Sequence, residues 1–313
     1  MPAYNAQACL GRCLNSLLLP DQERFRALEV IVVNDGSTDG TSALAHRYAE
    51  RYPEVFRVID KGNGNSGSCI NAALAVATGK YFRELDSDDW FDTDALSDFI
   101  ALLDGRSEDI VSTLKSNHYP NGSIETYEGL GVDYDKTCLI DEFVFRQRKD
   151  KVHLTMHAMS LRTDFLRGIS YRQLEGLFYT DMIQCYYALK SARDIWFSKL
   201  CLYQYSQGRD DQSMAVENAL KHRHHFFLVS ENLLEDYILI RDSLGENRRF
   251  ILSEIIFNYV NVFYHLSQEA DPDREELDRL MGMLPELKIF ALRLKLRQKK
   301  EEMQDISEKL AKK

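Results

Sequence analysis

The run Glu29-Val30-Ile31-Val32-Val33 is rich in β-branched residues and breaks off at Asn34-Asp35-Gly36-Ser37-Thr38-Asp39-Gly40. Apolar residues then recur at helical spacing from Thr41 to Tyr52. This reads as strand, loop, helix. The unit repeats, with Val55 to Ile59 as strand, Lys61 to Gly67 as a glycine-rich loop and Ser68 to Ala77 as helix. A third strand, Lys80 to Leu85, runs into Asp86-Ser87-Asp88-Asp89. Strands alternating with helices, with polar residues gathered after each strand, predict a parallel α/β sheet whose ligand lies beyond the strand C-termini. A helix near Ala95 to Leu103 follows. The chain then turns to scattered tyrosines, short strand candidates and turns such as Pro120-Asn121-Gly122. From about Val216 it is helical, with apolar runs at Phe226 to Ile240, Phe250 to Leu266 and Glu275 to Leu284.

Charge limits the partners. Among 313 residues, 39 Lys plus Arg stand against 49 Asp plus Glu, a formal charge of -10, which argues against nucleic-acid binding through a basic surface. A polyanionic ligand must be held locally. The six cysteines contain no C-x-x-C pair and read as reduced core thiols of a cytosolic protein. Phe250 to Leu266 carries Glu254, Asn258, Asn261 and His265 on one face, so it reads as an amphipathic helix and not a membrane span. Lys288 to Lys300 holds six basic residues and no acidic one. It is either a helix packed on the body with a solvated basic face or a peripheral contact with an anionic membrane surface.

Asp86-Ser87-Asp88-Asp89 is the most informative stretch. Three carboxylates at one strand end repel one another unless a cation or a donor-rich ligand compensates, and hard oxygen ligands suit Mg²⁺ or Mn²⁺. If the chain is extended there, Asp86 and Asp88 point to one side and Asp89 to the other. The alternative is a polar turn in which one Asp caps the next helix. Asp35 can accept a hydrogen bond from a ligand N–H, whereas Asp39 reads as a helix cap. Gly62-Asn63-Gly64-Asn65-Ser66-Gly67 matches the dinucleotide fingerprint G-x-G-x-x-G, with Asp86 about 20 residues on, so an NAD-binding oxidoreductase is a rival reading. That reading leaves the Glu29 to Asp39 unit and the carboxylates of Asp88 and Asp89 unemployed. His153 and His157 are four apart, but Val152 to Leu161 reads as a strand, which disfavours a helical metal pair.

Pro2-Ala3-Tyr4-Asn5, the run Glu29 to Thr41, the loop Asn63 to Asn71 and Asp86-Ser87-Asp88-Asp89-Trp90 together resemble the family 2 glycosyltransferases of bacteria. The likeness is close over about the first 110 residues and looser to about 214. It implies a GT-A fold, with a mixed sheet flanked by helices over residues 1–214 (a nucleotide-binding half, 1–110, and an acceptor half, 111–214) and an α-helical extension over 215–313. It further implies sugar transfer from a nucleotide-diphosphate donor, plausibly a UDP-sugar, to an acceptor hydroxyl with inversion.

By position, Ala3 and Tyr4 line the nucleotide pocket and Asp35 binds the base. Gly67, Asn71 and Asp86 join the donor site, Asp88 contacts ribose or metal, and Asp89 coordinates Mg²⁺ or Mn²⁺. Ile169 to Asp181 resembles the family stretch that commonly ends in Glu-Asp, here Thr180-Asp181. Asp181 is thereby the expected general base, with Glu175 as fallback; on spacing alone it would cap the following helix. Tyr203 to Arg209 resembles the segment closing over the donor, and Arg209 can clamp a diphosphate. The expected acceptor is a saccharide or lipid-linked glycan, met at the inner face of the cell membrane. A non-catalytic sugar-nucleotide binding protein is the other alternative. Two departures stand out. Ile70 occupies a position where many members place Arg, and an apolar strand that precedes the family's Pro-x-Tyr-Asn segment is missing before Met1. The expectation is an N-terminally incomplete sequence.

Overall fold

The structure is a computed structural model and describes residues 1–126, 132–142, 154–208, 212, 215–269 and 274–283. The basic stretch 288–300 lies outside them, as do Arg209 and His153.

The chain opens with β1 (Pro2–Ala3), the short helices α1 (Leu10–Asn15) and α2 (Gln22–Arg26), and then β2 (Val30–Asp35), buried along its whole length. Helix α3 (Thr41–Arg51) crosses over to β3 (Phe56–Lys61), and α4 (Asn65–Val76) follows. These strands form a parallel three-stranded sheet, β1-β2-β3, with Pro2 opposite Val33 and Asp35 opposite Lys61. The register puts Asp35 and Lys61 side by side at the strand ends. The Met1 ammonium donates to the Ile31 carbonyl at 2.9 Å, just before β1 begins.

A second sheet is assembled from β4 (Tyr81–Phe82), β5 (Trp90–Phe91), β6 (Ile110–His118), β7 (Ile124–Thr126), β8 (Thr137–Leu139), β9 (Met159–Arg162) and β10 (Asp194–Ser206). Its order is β4-β9-β6-β10-β5, with β7 on β6 and β8 on β10. Long β10 runs parallel to β6 and antiparallel to β5 and β8, so the sheet is mixed. The third strand expected over Lys80 to Leu85 is only two residues long, and residues 83 to 89 leave the ladder. Residues 156 to 158, expected as strand, form a turn of 3₁₀ helix before β9, which brings His157 under β10. Between β2 and β4, which share no hydrogen bonds, lies a cavity of about 730 Å³ whose walls include Ile31, Ala73, Ala77, Tyr81, Phe82 and Phe99.

The remaining helices are α5 (Thr93–Asp104), α6 (Thr163–Gly168), α7 (Asp181–Ser191), α8 (Val216–Lys221), α9 (Arg223–Ile240), α10 (Glu246–Glu269) and α11 (Arg274–Met283). The last two long apolar runs fall on α9 and α10, as their periodicity predicts. One apolar cluster runs without a break from Ile31 and Cys69 through Tyr186 to Phe226, Val260 and Leu280. The C-terminal helices therefore share a core with the sheet. All six cysteines are free thiols, and no described helix is long and apolar enough to cross a membrane.

Candidate active site

The loops beyond β1 and β2 meet first. Ala3 is buried and Tyr4 is 54% exposed at the end of β1. Asn5 takes a left-handed φ of 47° and accepts from the Thr38 N–H, tying the two loops together. Asp39 accepts from the Thr41 N–H and so caps α3 from just outside its first turn. Gly36 needs to be glycine: its φ is +75° and a Cβ there would meet Asn63 N at 3.0 Å. Asp35 is only 2% exposed and already paired, accepting from Lys61 Nζ at 2.7 Å and from the Gly64 N–H at 3.0 Å.

The acidic segment is a turn, since the Asp89 N–H donates to the Asp86 carbonyl at 3.2 Å. This overturns the expected alternation. In a turn, residues three apart come to the same side, so Asp86 and Asp89 converge and Asp88 is left out. Asp88 offers its carbonyl to Arg12, whose guanidinium sits 3.8 Å over the Trp90 ring. Asp89 is 1% exposed and accepts from the Tyr203 hydroxyl and the Ser206 N–H, both at 2.7 Å. Carboxylate oxygens of Asp86 and Asp89 and a ring nitrogen of His157 all lie within 4.8 Å of one another.

The electrostatics of this group are unresolved within the protein. Burial, and then the neighbouring carboxylates, push the Asp86 and Asp89 carboxyls well above the usual range. No Lys or Arg among the described residues forms an ion pair with either. Burial, helped by Lys115 and Arg83, holds His157 down to about 3, so its ring is neutral, and its Nδ1 has no hydrogen-bond partner. Glu84, behind the turn, is fully enclosed, has an unpartnered Oε1, and is pushed up to about 8 by burial and by Asp86. Two carboxylates and a neutral imidazole, whose Nε2 lies 3.8 Å from Asp86 Oδ2, are a donor set that fits a divalent cation, and the nitrogen favours Mn²⁺ over Mg²⁺.

Asp181 sits at the first position of α7, half-buried, with no capping bond from its side chain. Its charge acts on Asp86 and on Lys115, so it lies within electrostatic reach of the acidic turn. The strap leading to it is fastened to α4. Asn71 Nδ2 donates to the Gln173 carbonyl and to Glu175 Oε1, and Asn71 Oδ1 accepts the Gln173 N–H, each at 2.9 Å. Gly67 gives room for the strap, because a Cβ there would lie 1.9 Å from the Leu174 carbonyl oxygen. The third glycine of the G-x-G-x-x-G run thus accommodates protein backbone, which accounts for it without a dinucleotide. Glu175 is committed to Asn71 and Arg172, and those bonds hold its carboxyl below the usual range.

Sequence reasoning missed Glu84, Lys115, Tyr259 and the grouping of His157 with the acids. Tyr203 and Ser206 were visible only as part of a segment expected over the donor; the structure shows in addition that they hold Asp89. A buried acid two residues before the acidic run was the one readable signal for Glu84. Nothing in the pattern singles out Tyr259 from its apolar helix.

Chondroitin synthase of Pasteurella multocida (strain Pm70) is 36% identical over 125 residues, which is 40% of this chain and 12% of that protein; hyaluronan synthase of Pasteurella multocida matches to the same extent. The chain thus matches about an eighth of the length of these relatives. Among solved structures, S. aureus TarS 1-349 in complex with UDP-GlcNAc superposes with a TM-score of 0.59 at 18% identity, covering 90% of this chain and 78% of that one. The mannosyltransferase PcManGT from Pyrobaculum calidifontis, in complex with GDP-Man and Mn²⁺, gives 0.52 at 15% identity over 94% and 78%. The fold is GT-A. The family model described as glycosyl transferase family 2 matches residues 1–165, more than half of the chain, and the protein belongs to that family.

Proposed function

We propose that this protein moves a sugar from a nucleotide-diphosphate donor, a UDP-sugar, to an acceptor hydroxyl with inversion at the anomeric carbon. The observation that carries the reading is the Asp86–Asp89–His157 group, whose ligand atoms lie within 4.8 Å of one another and whose Asp86 feels the charge of Asp181. Asp86, Asp89 and His157 would hold Mn²⁺ or Mg²⁺, with Asp88 left for the ribose. When bound, the ion neutralises the departing diphosphate as a Lewis acid. Tyr4 and Ala3 border the base, and Asp35 shapes that pocket through its pair with Lys61. Arg209 clamps the diphosphate. Asp181 takes the proton of the acceptor hydroxyl as its oxygen bonds to the anomeric carbon and the bond to the diphosphate oxygen breaks.

The likeness to TarS with UDP-GlcNAc supports a nucleotide-sugar donor. The names of the two synthases support a saccharide acceptor, which we place in a cell-surface glycan met at the inner membrane face.

A thermal-shift panel of UDP, GDP, dTDP, CMP and NAD, each with Mn²⁺ and with EDTA, tests the donor site. UDP is expected to stabilise only with metal, by about 2.7 kcal/mol at 100 times its dissociation constant. A metal-independent shift with NAD alone would overturn the reading. Asp181→Asn is expected to cut transfer by at least ~1000-fold and to leave donor binding intact. Normal transfer by that variant would sink the base assignment, and donor binding with no transfer by the unmodified protein would favour a sugar-nucleotide binding protein.

A further inference from the structure

The C-terminal helices reach Asp181 through Tyr259. Tyr259 of α10 is buried, and its hydroxyl lies 2.7 Å from the Tyr179 carbonyl oxygen and 2.9 Å from Asp181 Oδ1. The phenol keeps its proton, because burial and the nearby Asp181 charge push its pKa well above 10, and that single O–H is shared between the two acceptors. Its ring packs on Phe226 of α9, at 5.7 Å between centroids, and Phe226 stacks on Tyr179 at 4.0 Å with the planes 13° apart.

Tyr179 needs holding. Its φ is +64°, a left-handed conformation that costs a side-chain-bearing residue energy and persists only where surroundings over-determine it. That unfavourable turn sits two residues before Asp181 and sets the direction in which α7 begins. On the far side, the strap is pinned to α4 by Asn71 and by the Gly64 carbonyl, which accepts from the Gly176 N–H at 2.8 Å.

We infer that Tyr259 is a positioning residue for Asp181. Its hydroxyl, with the Phe226 ring, locks the Tyr179 turn and engages Oδ1, which leaves Oδ2 to receive the acceptor proton. The C-terminal helices are then a working part of the site. The inference rests on the assignment of Asp181 as base in its catalytic consequence, but the clamp itself can be tested alone.

The test uses the full chain as Tyr259→Phe, Phe226→Leu, Asp181→Asn and the double variant Tyr259→Phe/Asp181→Asn. Amide hydrogen exchange over 173–183 reads the clamp, and release of UDP or GDP from UDP-N-acetylglucosamine or GDP-mannose with Mn²⁺ reads turnover. Tyr259→Phe is expected to speed exchange over 173–183 by about 10-fold, with exchange in α9 unchanged. It should lower kcat by ~10- to 100-fold with donor KM unchanged, and add less than about 2-fold to Asp181→Asn, as residues acting as one unit do. Phe226→Leu keeps the hydroxyl and should loosen the strap less.

Wild-type exchange in Tyr259→Phe, or a Phe226→Leu effect as large as that of Tyr259→Phe, would overturn the inference, whether or not either sugar turns over. So would rate losses that multiply in the double variant. Wild-type turnover by Asp181→Asn, beside accelerated exchange in Tyr259→Phe, would instead sink the base assignment and leave the clamp standing.

Discussion

Asp35 ends β2 and Asp89 stands just before β5, both are almost sealed from solvent, and both accept two or more hydrogen bonds from the protein. Yet Asp35 has its counter-ion built in, because parallel pairing of β2 with β3 sets Lys61 beside it. Asp89 has no such partner and is crowded by Asp86 and Asp88 instead. The first carboxylate is electrostatically finished and serves the shape of a loop. The second is finished only if something positive arrives. Burial of an acid therefore does not by itself mark a ligand site; what marks it is burial without compensation.

The contrast can be broken most forcefully from the Lys61 side. Lys61→Met strips Asp35 of its cation in a buried place and is expected to cost about 3 kcal/mol in denaturant unfolding. A loss below about 1 kcal/mol would mean that the two acids are less different than their surroundings indicate.

Asp86→Asn should act in the opposite sense. It relieves repulsion, so the protein in EDTA should be no less stable than wild type, while the Mn²⁺-dependent stabilisation by UDP, about 2.7 kcal/mol at 100 times the dissociation constant, disappears. Retention of that metal-dependent shift would remove Asp86 from the donor set.

The third test is pH. Glu84, Asp86 and Asp89 hold protons in the folded state that the unfolded chain releases near pH 4, so the folded state binds more protons and stability falls as pH rises. In EDTA, a decline of about 3 kcal/mol from Glu84 alone is expected between pH 5 and pH 8, complete as its carboxyl gives up its proton, and Mn²⁺ with UDP should flatten it. A rise over that window would refute the account of these acids. The smallest effect belongs to the strap. Asn71→Ala removes its pair of bonds to Gln173 and should cost about 1 kcal/mol globally, visible chiefly as faster exchange near Gln173.

Much of this was legible in the sequence, and the reasons divide cleanly. The strands ending at Asp35 and Lys61, helices α3, α5, α9 and α10, and the family itself follow from periodicity and from motifs contiguous in the chain. The pairing of Asp86 with Asp89 did not, because the sequence left an extended chain and a turn both open there, and a turn reverses which residues share a side. His157 was hidden for a related reason: a single 3₁₀ turn replaces the expected strand and rotates the ring under Tyr203 and Tyr205. Tyr259 was unreadable in principle. Its role is fixed by how α10 packs on α9 and α7, and the hydrophobic pattern of α10 says only that this face is inward.

The bonds that hold Asp89 also fix when the site can exist. Its carboxylate is secured by Tyr203 and Ser206, 114 and 117 residues later in the chain, and Asp181 waits another 78 for Tyr259. At translation rates of about 5–20 residues per second, the acidic turn leaves the ribosome roughly 6–23 s before its anchors are made. The nascent chain therefore carries the acidic motif long before it carries a pocket. The Tyr259–Asp181 contact can form only once α10 is synthesised and docked.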